Sequence, residues 1–336
     1  MSTGVPLVEV TRGNVVERIH YGHVVVVNRK KKVAFSLGNP FKKTYMRSCA
    51  KPVQVLPFVC SGGMEHFGFT DKELAIFCAS HYAEPFHMET LENILKKINL
   101  SEKNLLCGVT TSLKLEYAFE LARRDVPLNQ LYNDCSGKHL GMLALCQHRN
   151  YPIDHYISPD HPAQEEIIST FADFCEIPVE DIQIGIDGCS APVFALPIYH
   201  MALAYLKLSN PDSLENMQKY GSACKRIFRA MTAYPEMIAG TNGFCTELMT
   251  HTNGKLIGKV GAEGVYCVGV KDKGLALAVK IDDGSMAVLP SVVIQLLSDF
   301  DVLTEEEKEK LTGLWFKDVL NDREMIVGVQ KPCFGS

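Results

Sequence analysis

The sequence predicts a mixed α/β (α+β) fold in which a mostly antiparallel sheet draws strands from both ends of the chain and packs against a helix-rich middle. Three observations predict it. An N-terminal run, His23-Val-Val-Val-Val, meets Val33-Ala-Phe-Ser-Leu across a polar tip and ends in Gly38-Asn39-Pro40, the pattern of a β-hairpin followed by a loop. Three β-branched or alternating segments, Lys255 to Val260, Gly264 to Val270 and Leu275 to Ile281, follow one another late in the chain between glycine and charged turns. Between these ends, apolar residues recur at helical spacing.

Taking the elements in order, the hairpin spans residues 20–38, with Arg29-Lys30-Lys31-Lys32 as its solvated tip. Thr70-Asp71-Lys72-Glu73 is a capping box, and Leu91, Ile94, Leu95 and Ile98 mark a helix between Glu84 and Ile98. Cys135 to Gln147 reads as a buried helix after a turn at Ser136-Gly137, with further helices at Pro162 to Cys175 and Leu214 to Met231. The helical middle thus runs over 48–231, and Val288 to Leu297 closes the chain as a helix after the strands of 255–282. One sheet from both ends places all of 1–336 in a single domain.

The chain has 336 residues, 46% of them apolar, enough to bury a core. Lys plus Arg total 34 against 39 Asp plus Glu, a net charge of -5 that leaves no electrostatic footprint for nucleic acid. A small-molecule substrate follows as the expectation. The N-terminus lacks a charged leader with an apolar run, and no segment offers about 18 uninterrupted apolar residues, so neither secretion nor a membrane span is expected. The twelve cysteines contain no Cys-x-x-Cys pair and are irregularly spaced. That pattern suits a reducing, cytoplasmic setting, with most of them small buried hydrophobes.

Ser48-Cys49-Ala50-Lys51 sets a hydroxyl and an amine three residues apart, on one face of a helix. Such a lysine can take the serine's proton only when it is neutral, which calls for burial or a second cation nearby. Pro52 places the serine at or near the helix start, where backbone N–H groups favour an oxyanion. The pattern alone is more often that of a capping serine and a solvated lysine. Its place after a hairpin, with Lys259-Val260-Gly261 on a late strand, follows the order of serine β-lactamases and penicillin-binding proteins. Val260 stands where those enzymes carry a hydroxyl, and no Ser-x-Asn lies between, which argues against a β-lactam substrate.

Two glycine-flanked polar turns each carry a cysteine: Asn133-Asp134-Cys135-Ser136-Gly137-Lys138-His139, and Gly185-Ile186-Asp187-Gly188-Cys189-Ser190. If they meet, Cys135 and Cys189 would be thiolate ligands of a metal such as zinc, with His139 or Lys138 as a third; otherwise they are structural cysteines. In Ala79-Ser80-His81 the adjacent histidine is a poor base for Ser80, while Lys259 could reach it. His23, His87 and His161 lack companions at ligand spacing.

Together, Arg47-Ser48-Cys49-Ala50-Lys51-Pro52, Cys78-Ala79-Ser80-His81, Cys135-Ser136-Gly137-Lys138-His139, Asp187-Gly188-Cys189, Pro235-Glu236-Met237-Ile238-Ala239-Gly240 and Gly258-Lys259-Val260-Gly261-Ala262 resemble the class 3, rhizobial-type L-asparaginases. These are similar in fold to serine β-lactamases and glutaminases. The resemblance implies an amidohydrolase that turns L-asparagine into L-aspartate and ammonia, with Ser48 and Lys51 as one Ser–Lys pair and Ser80 and Lys259 as a second. It implies Cys135, Lys138 and Cys189 as ligands of zinc that aids substrate binding, Asp187 with Arg47 facing the substrate, and a homodimer. A glutaminase, a penicillin-recognising hydrolase, or a zinc-binding regulatory protein on the same scaffold are the competing readings. Asp134 stands where the family often has asparagine, and Tyr234 where it often has histidine.

Overall fold

A computed structural model describes residues 4–335. The strands, in chain order, are β1 (Val5–Arg12), β2 (Val15–Asn28), β3 (Val33–Leu37), β4 (Lys43–Tyr45), β5 (Gln183–Ile186), β6 (Pro192–Pro197), β7 (Leu256–Gly261), β8 (Val265–Val270), β9 (Leu275–Ile281), β10 (Lys317–Leu320) and β11 (Ile326–Pro332). The chain forms two compact units. One takes the residues up to Cys49, Leu196–Ser213 and everything from Glu247 onward; the other takes Ala50–Ala195 and Leu214–Thr246.

The first unit is built on one antiparallel sheet in the order β10-β11-β1-β2-β9-β8-β7, with β3 also paired to β2. Strands from the two ends of the chain therefore share a sheet, as the sequence predicts. All six residues of β8 are buried, as are Ala276 to Ile281 of β9 and Val24 to Val27 of β2. Continuous rather than alternating burial means that both faces are covered. Helix Ile198–Ser209 lies against β2, β8 and β9, and helix Leu289–Asp299 against β1, β8, β9 and β11. Each fully buried Val or Leu contributes roughly 1.5–3 kcal/mol relative to exposure.

Several sequence expectations need extension. The N-terminal hairpin starts at Val15 rather than at residue 20, because β2 continues outward to pair with β1. The helix at Leu289–Asp299 does not close the chain: helix Glu305–Trp315 and strands β10 and β11 follow it. The basic run sits on the β2–β3 turn as expected, with Lys31 in the left-handed region at φ 59°.

The second unit is mainly helical. Thr70 forms the expected box: Glu73 N–H donates to Thr70 Oγ1 at 3.3 Å and Thr70 N–H to Glu73 Oε2 at 2.7 Å. Helices Pro85–Lys97 and Pro162–Cys175 match their expected spans, whereas the one read from Leu214 begins only at Gly221. Helix Ser136–Arg149 is buried from Ser136 to Cys146 and packs on helices Asp71–Phe77 and Pro85–Lys97. Its approach to the first of these requires glycine, since a Cβ on Gly137 would lie 2.1 Å from Ile76 O. The middle also holds a strand pair that periodicity does not reveal, β5 with β6, in register from Gln183↔Ala195 to Ile186↔Pro192.

Candidate active site

In the first unit, Ser48 lies on a short 3-10 turn, Arg47–Ala50, that leads into the helical turn Lys51–Gln54 with Pro52 in its first turn. The serine thus sits at a helix start, as Pro52 requires. Arg47 just before it is left-handed at φ 49°, a conformation that costs a non-glycine residue of order 1–3 kcal/mol. Lys259 is fully buried on β7, where it pairs in register with Cys267, and its Nζ donates to Val260 O at 2.8 Å.

In the second unit, Lys51 is 1% exposed and its Nζ donates to Ala79 O at 2.6 Å and to Ser80 Oγ at 2.9 Å. The lysine of the first expected pair therefore holds the serine of the second. The Asp134 carboxylate lies 3.5 Å from the same Nζ. Burial alone pushes Lys51 down, but the negative charge shared by the Cys135–Cys189 pair and that of Asp134 outweigh it and hold the ammonium above its ordinary range. Ser80 is fixed by its own backbone: its N–H donates to Ile238 O at 2.9 Å, so the Pro235–Gly240 segment is its support. His81 faces Ser136 Oγ at 2.8 Å, and burial keeps it neutral. His87 accepts from Glu84 N–H and meets Glu236 O, and His161 is bonded to Ala163 N–H and Pro152 O, so both are satisfied core residues.

The two cysteine turns do meet. One oxygen of Asp187 and the sulfurs of Cys135 and Cys189 lie within 4.8 Å of one another. Asn133 sets the first turn by accepting from Cys135 N–H at 2.9 Å while its own amide donates to Cys107 O at 2.8 Å. Lys138 then stands one turn along the helix, on the face of Cys135. The second turn is the β5–β6 loop, closed by Asp187 N–H to Ala191 O and Ser190 N–H to Asp187 O, both 2.9 Å. Lys138 Nζ reaches Cys189 Sγ at 3.0 Å and Asp187 Oδ2 at 3.9 Å.

Charge in this cluster is shared unequally. A hydrogen bond from the Cys135 thiol, and then the Lys138 ammonium, hold Cys189 far below the ordinary thiol range, against burial. Cys135 is correspondingly pushed well up by donating to that thiolate and by burial. Burial lowers Lys138, but the sulfurs raise it by more. His139 Nδ1 contacts Tyr156 OH at 2.7 Å, while its Nε2 is buried without a hydrogen bond of normal geometry among the described residues.

This donor set fits zinc. Tetrahedral Zn–S bonds of about 2.3 Å place two sulfurs roughly 3.8 Å apart, compatible with the spread found here. Sequence reasoning reached Cys135 and Cys189 through their two glycine-flanked turns, with His139 or Lys138 as the third group, and Lys138 itself through the family resemblance. It did not reach the contact of Asp134 with Lys51, which joins residues 83 positions apart, and no local pattern signals it.

The fold is similar to a solved structure of Mglu in its native form at 4.3 M NaCl (11% identity, 83% of this chain and 61% of that one, TM-score 0.37). It is also similar to a putative β-lactamase from Bacteroides dorei (11%, 82% and 93%, 0.43) and to a β-lactamase from Mycobacterium bovis (12%, 83% and 94%, 0.41). The chain spans 61% to 64% of the length of the Mglu chains first matched. No curated protein sequence matches it. Among the described residues no helix is long and apolar enough to cross a membrane. The model of the L-asparaginase II family matches residues 8–332, nearly the whole chain, and the chain belongs to that family.

Proposed function

We propose that the chain hydrolyses the side-chain amide of L-asparagine to L-aspartate and ammonia, through an acyl-enzyme formed on a lysine-activated serine. The observation that carries this reading is the fully buried Lys51 with its Nζ 2.9 Å from Ser80 Oγ, beside a cluster of sulfur, carboxylate and amine groups. A buried Lys–Ser contact has little value to packing alone, since burying an ammonium is costly unless it is paired. Membership of the L-asparaginase II family supports the amide substrate.

In this reading Ser48 attacks the amide carbon as neutral Lys51 takes its proton, and the carbon–nitrogen bond breaks as that proton passes to the leaving ammonia. Water then cleaves the ester by the reverse relay. Backbone N–H groups at the helix start hold the oxyanion. Ser80 keeps Lys51 aimed and, with Lys259, forms the second pair; Asp187 meets the substrate ammonium and Arg47 its carboxylate. Cys135, Lys138 and Cys189 would hold zinc, whose positive charge supplies a docking point for substrate and cancels the thiolate charge that favours protonated Lys51. A homodimer working in the cytoplasm completes the proposal.

The test is ammonia release from L-asparagine against L-glutamine, with and without a chelator. Ser48→Ala is expected to lower kcat by about a thousandfold or more, as loss of a covalent nucleophile does. Near-normal release by that variant removes Ser48 as the nucleophile. If Ser80→Ala instead abolishes turnover, the attack belongs to the serine that Lys51 touches.

A further inference from the structure

In the first unit, neutral hydrogen bonds of Cys49 tie down the turn that carries Ser48. The Cys49 thiol donates to Lys259 O at 3.0 Å, and Cys49 O accepts the Tyr205 hydroxyl at 2.9 Å. Cys49 and Tyr205 are both fully buried. The turn lies so close to β7 that a Cβ on Gly261 would come within 2.8 Å of Met46 O and 3.3 Å of Arg47 Cβ. Tyr205 is itself rooted in the sheet, because helix Ile198–Ser209 approaches β8 until a Cβ on Gly269 would reach Tyr205 O at 2.3 Å. One frame, the sheet, thereby reaches the serine turn from two sides.

Phenylalanine would fill the same space at 205 without a polar atom to satisfy. A buried hydroxyl costs desolvation unless it is bonded, so its worth lies in where its bond goes. That bond goes to the carbonyl of Cys49, the residue directly after Ser48. The thiol of the same residue goes to the peptide of Lys259, the lysine of the second expected pair.

We propose that Tyr205 and Cys49 are positioning residues for the amidase reaction, the hydroxyl and the thiol together holding the Ser48 turn against strand β7 in the placement that attack on the amide requires. This rests on Ser48 being the nucleophile. Neither residue touches the reacting atoms; both act through the backbone of the turn. A misplacement of about 1 Å in such a frame costs on the order of a hundredfold in rate.

The experiment compares Tyr205→Phe, Cys49→Ala, Cys49→Ser and Tyr199→Phe in the full chain, by steady-state ammonia release from L-asparagine and by thermal unfolding. Tyr199 lies on the same helix and donates to Lys31 O at 2.6 Å, so Tyr199→Phe loses a comparable bond elsewhere. Tyr205→Phe and Cys49→Ala are expected to lower kcat about 10- to 100-fold with KM changed less than about threefold. Cys49→Ser, which keeps a donor, is expected to retain kcat within about threefold, and Tyr199→Phe to lower Tm without lowering kcat. If Tyr205→Phe keeps kcat within about twofold, or loses it only in KM or only as Tyr199→Phe does, the positioning role is overturned. If Tyr205→Phe does not fold, the contrast of Cys49→Ala with Cys49→Ser decides, and equal kcat in those two overturns it. An unsubstituted chain that releases no ammonia marks failure of the functional reading, and this proposal falls with it.

Discussion

In the first unit the Ser48 turn is held by neutral groups, a thiol and a phenol on peptide carbonyls, anchored to a sheet whose strands are buried on both faces. In the second unit the candidate residues are held by charge: Lys51 against Asp134 and the cysteines, Lys138 against Cys189 and Asp187. A neutral hydrogen bond contributes about 1 kcal/mol net, and each can be lost without orphaning an ion. A buried ionic set is stable only as a set, because removing one member strands the charge of the rest. The first arrangement contains no ion to strand, while the second couples its geometry to protonation.

The largest expected effect that separates the two is Lys51→Met. It removes the cation that faces Asp134 and the Cys135–Cys189 pair, and should cost about 3–5 kcal/mol of stability at neutral pH, besides activity. Tyr205→Phe should cost about 1 kcal/mol. Urea unfolding of both variants checks this, and equal costs would remove the contrast.

A smaller effect comes from His87, buried in the second unit and pushed down to about 4 by burial, partly offset by its bond to Glu236 O. Its folded value lies below the unfolded one of about 6.5, so the unfolded chain binds this proton first. Stability from this group is complete above about pH 6.5 and is lost as pH falls toward 4, at most about 3 kcal/mol. His87→Gln should flatten that slope. An unchanged slope from pH 7 to 4 in urea titrations would show that His87 does not set it. In the first unit His23 is likewise lowered by burial, but Asp282, 3.3 Å away, pulls it back up.

The same division governs what the sequence reveals. The strands of 255–282 are legible because β-branched runs end at glycine turns, and the Thr70 box because four consecutive residues contain it. Strand β1 is not, since Pro6 interrupts its pattern and it draws its place from pairing with β2 and β11. Cys135 is legible from its polar, glycine-flanked turn, with Lys138 and His139 as alternatives beside it. Cys189 joins them only through the β5–β6 loop, and Ser80 meets Lys51 only because helix Asp71–Phe77 ends where the Pro235–Gly240 segment catches it. Tyr205 lies 156 positions from Cys49, a contact no periodicity encodes.

The smallest expected effect tests charge coupling at Asp134. Asp134 is only partly buried, so its ion pair with Lys51 is screened and Asp134→Asn should change stability by less than about 1 kcal/mol. Its electrostatic effect has a definite sign. The carboxylate favours the ammonium form of Lys51, and a lysine that serves as base acts only once deprotonated. Removing the carboxylate lowers the Lys51 pKa, so the acidic limb of the kcat/KM profile should move to lower pH and activity below the wild-type limb should rise. A limb that stays fixed, or moves upward, would mean that a group other than Lys51 sets it, and the Lys51–Ser80 contact would then be a structural ion site rather than part of the proton relay.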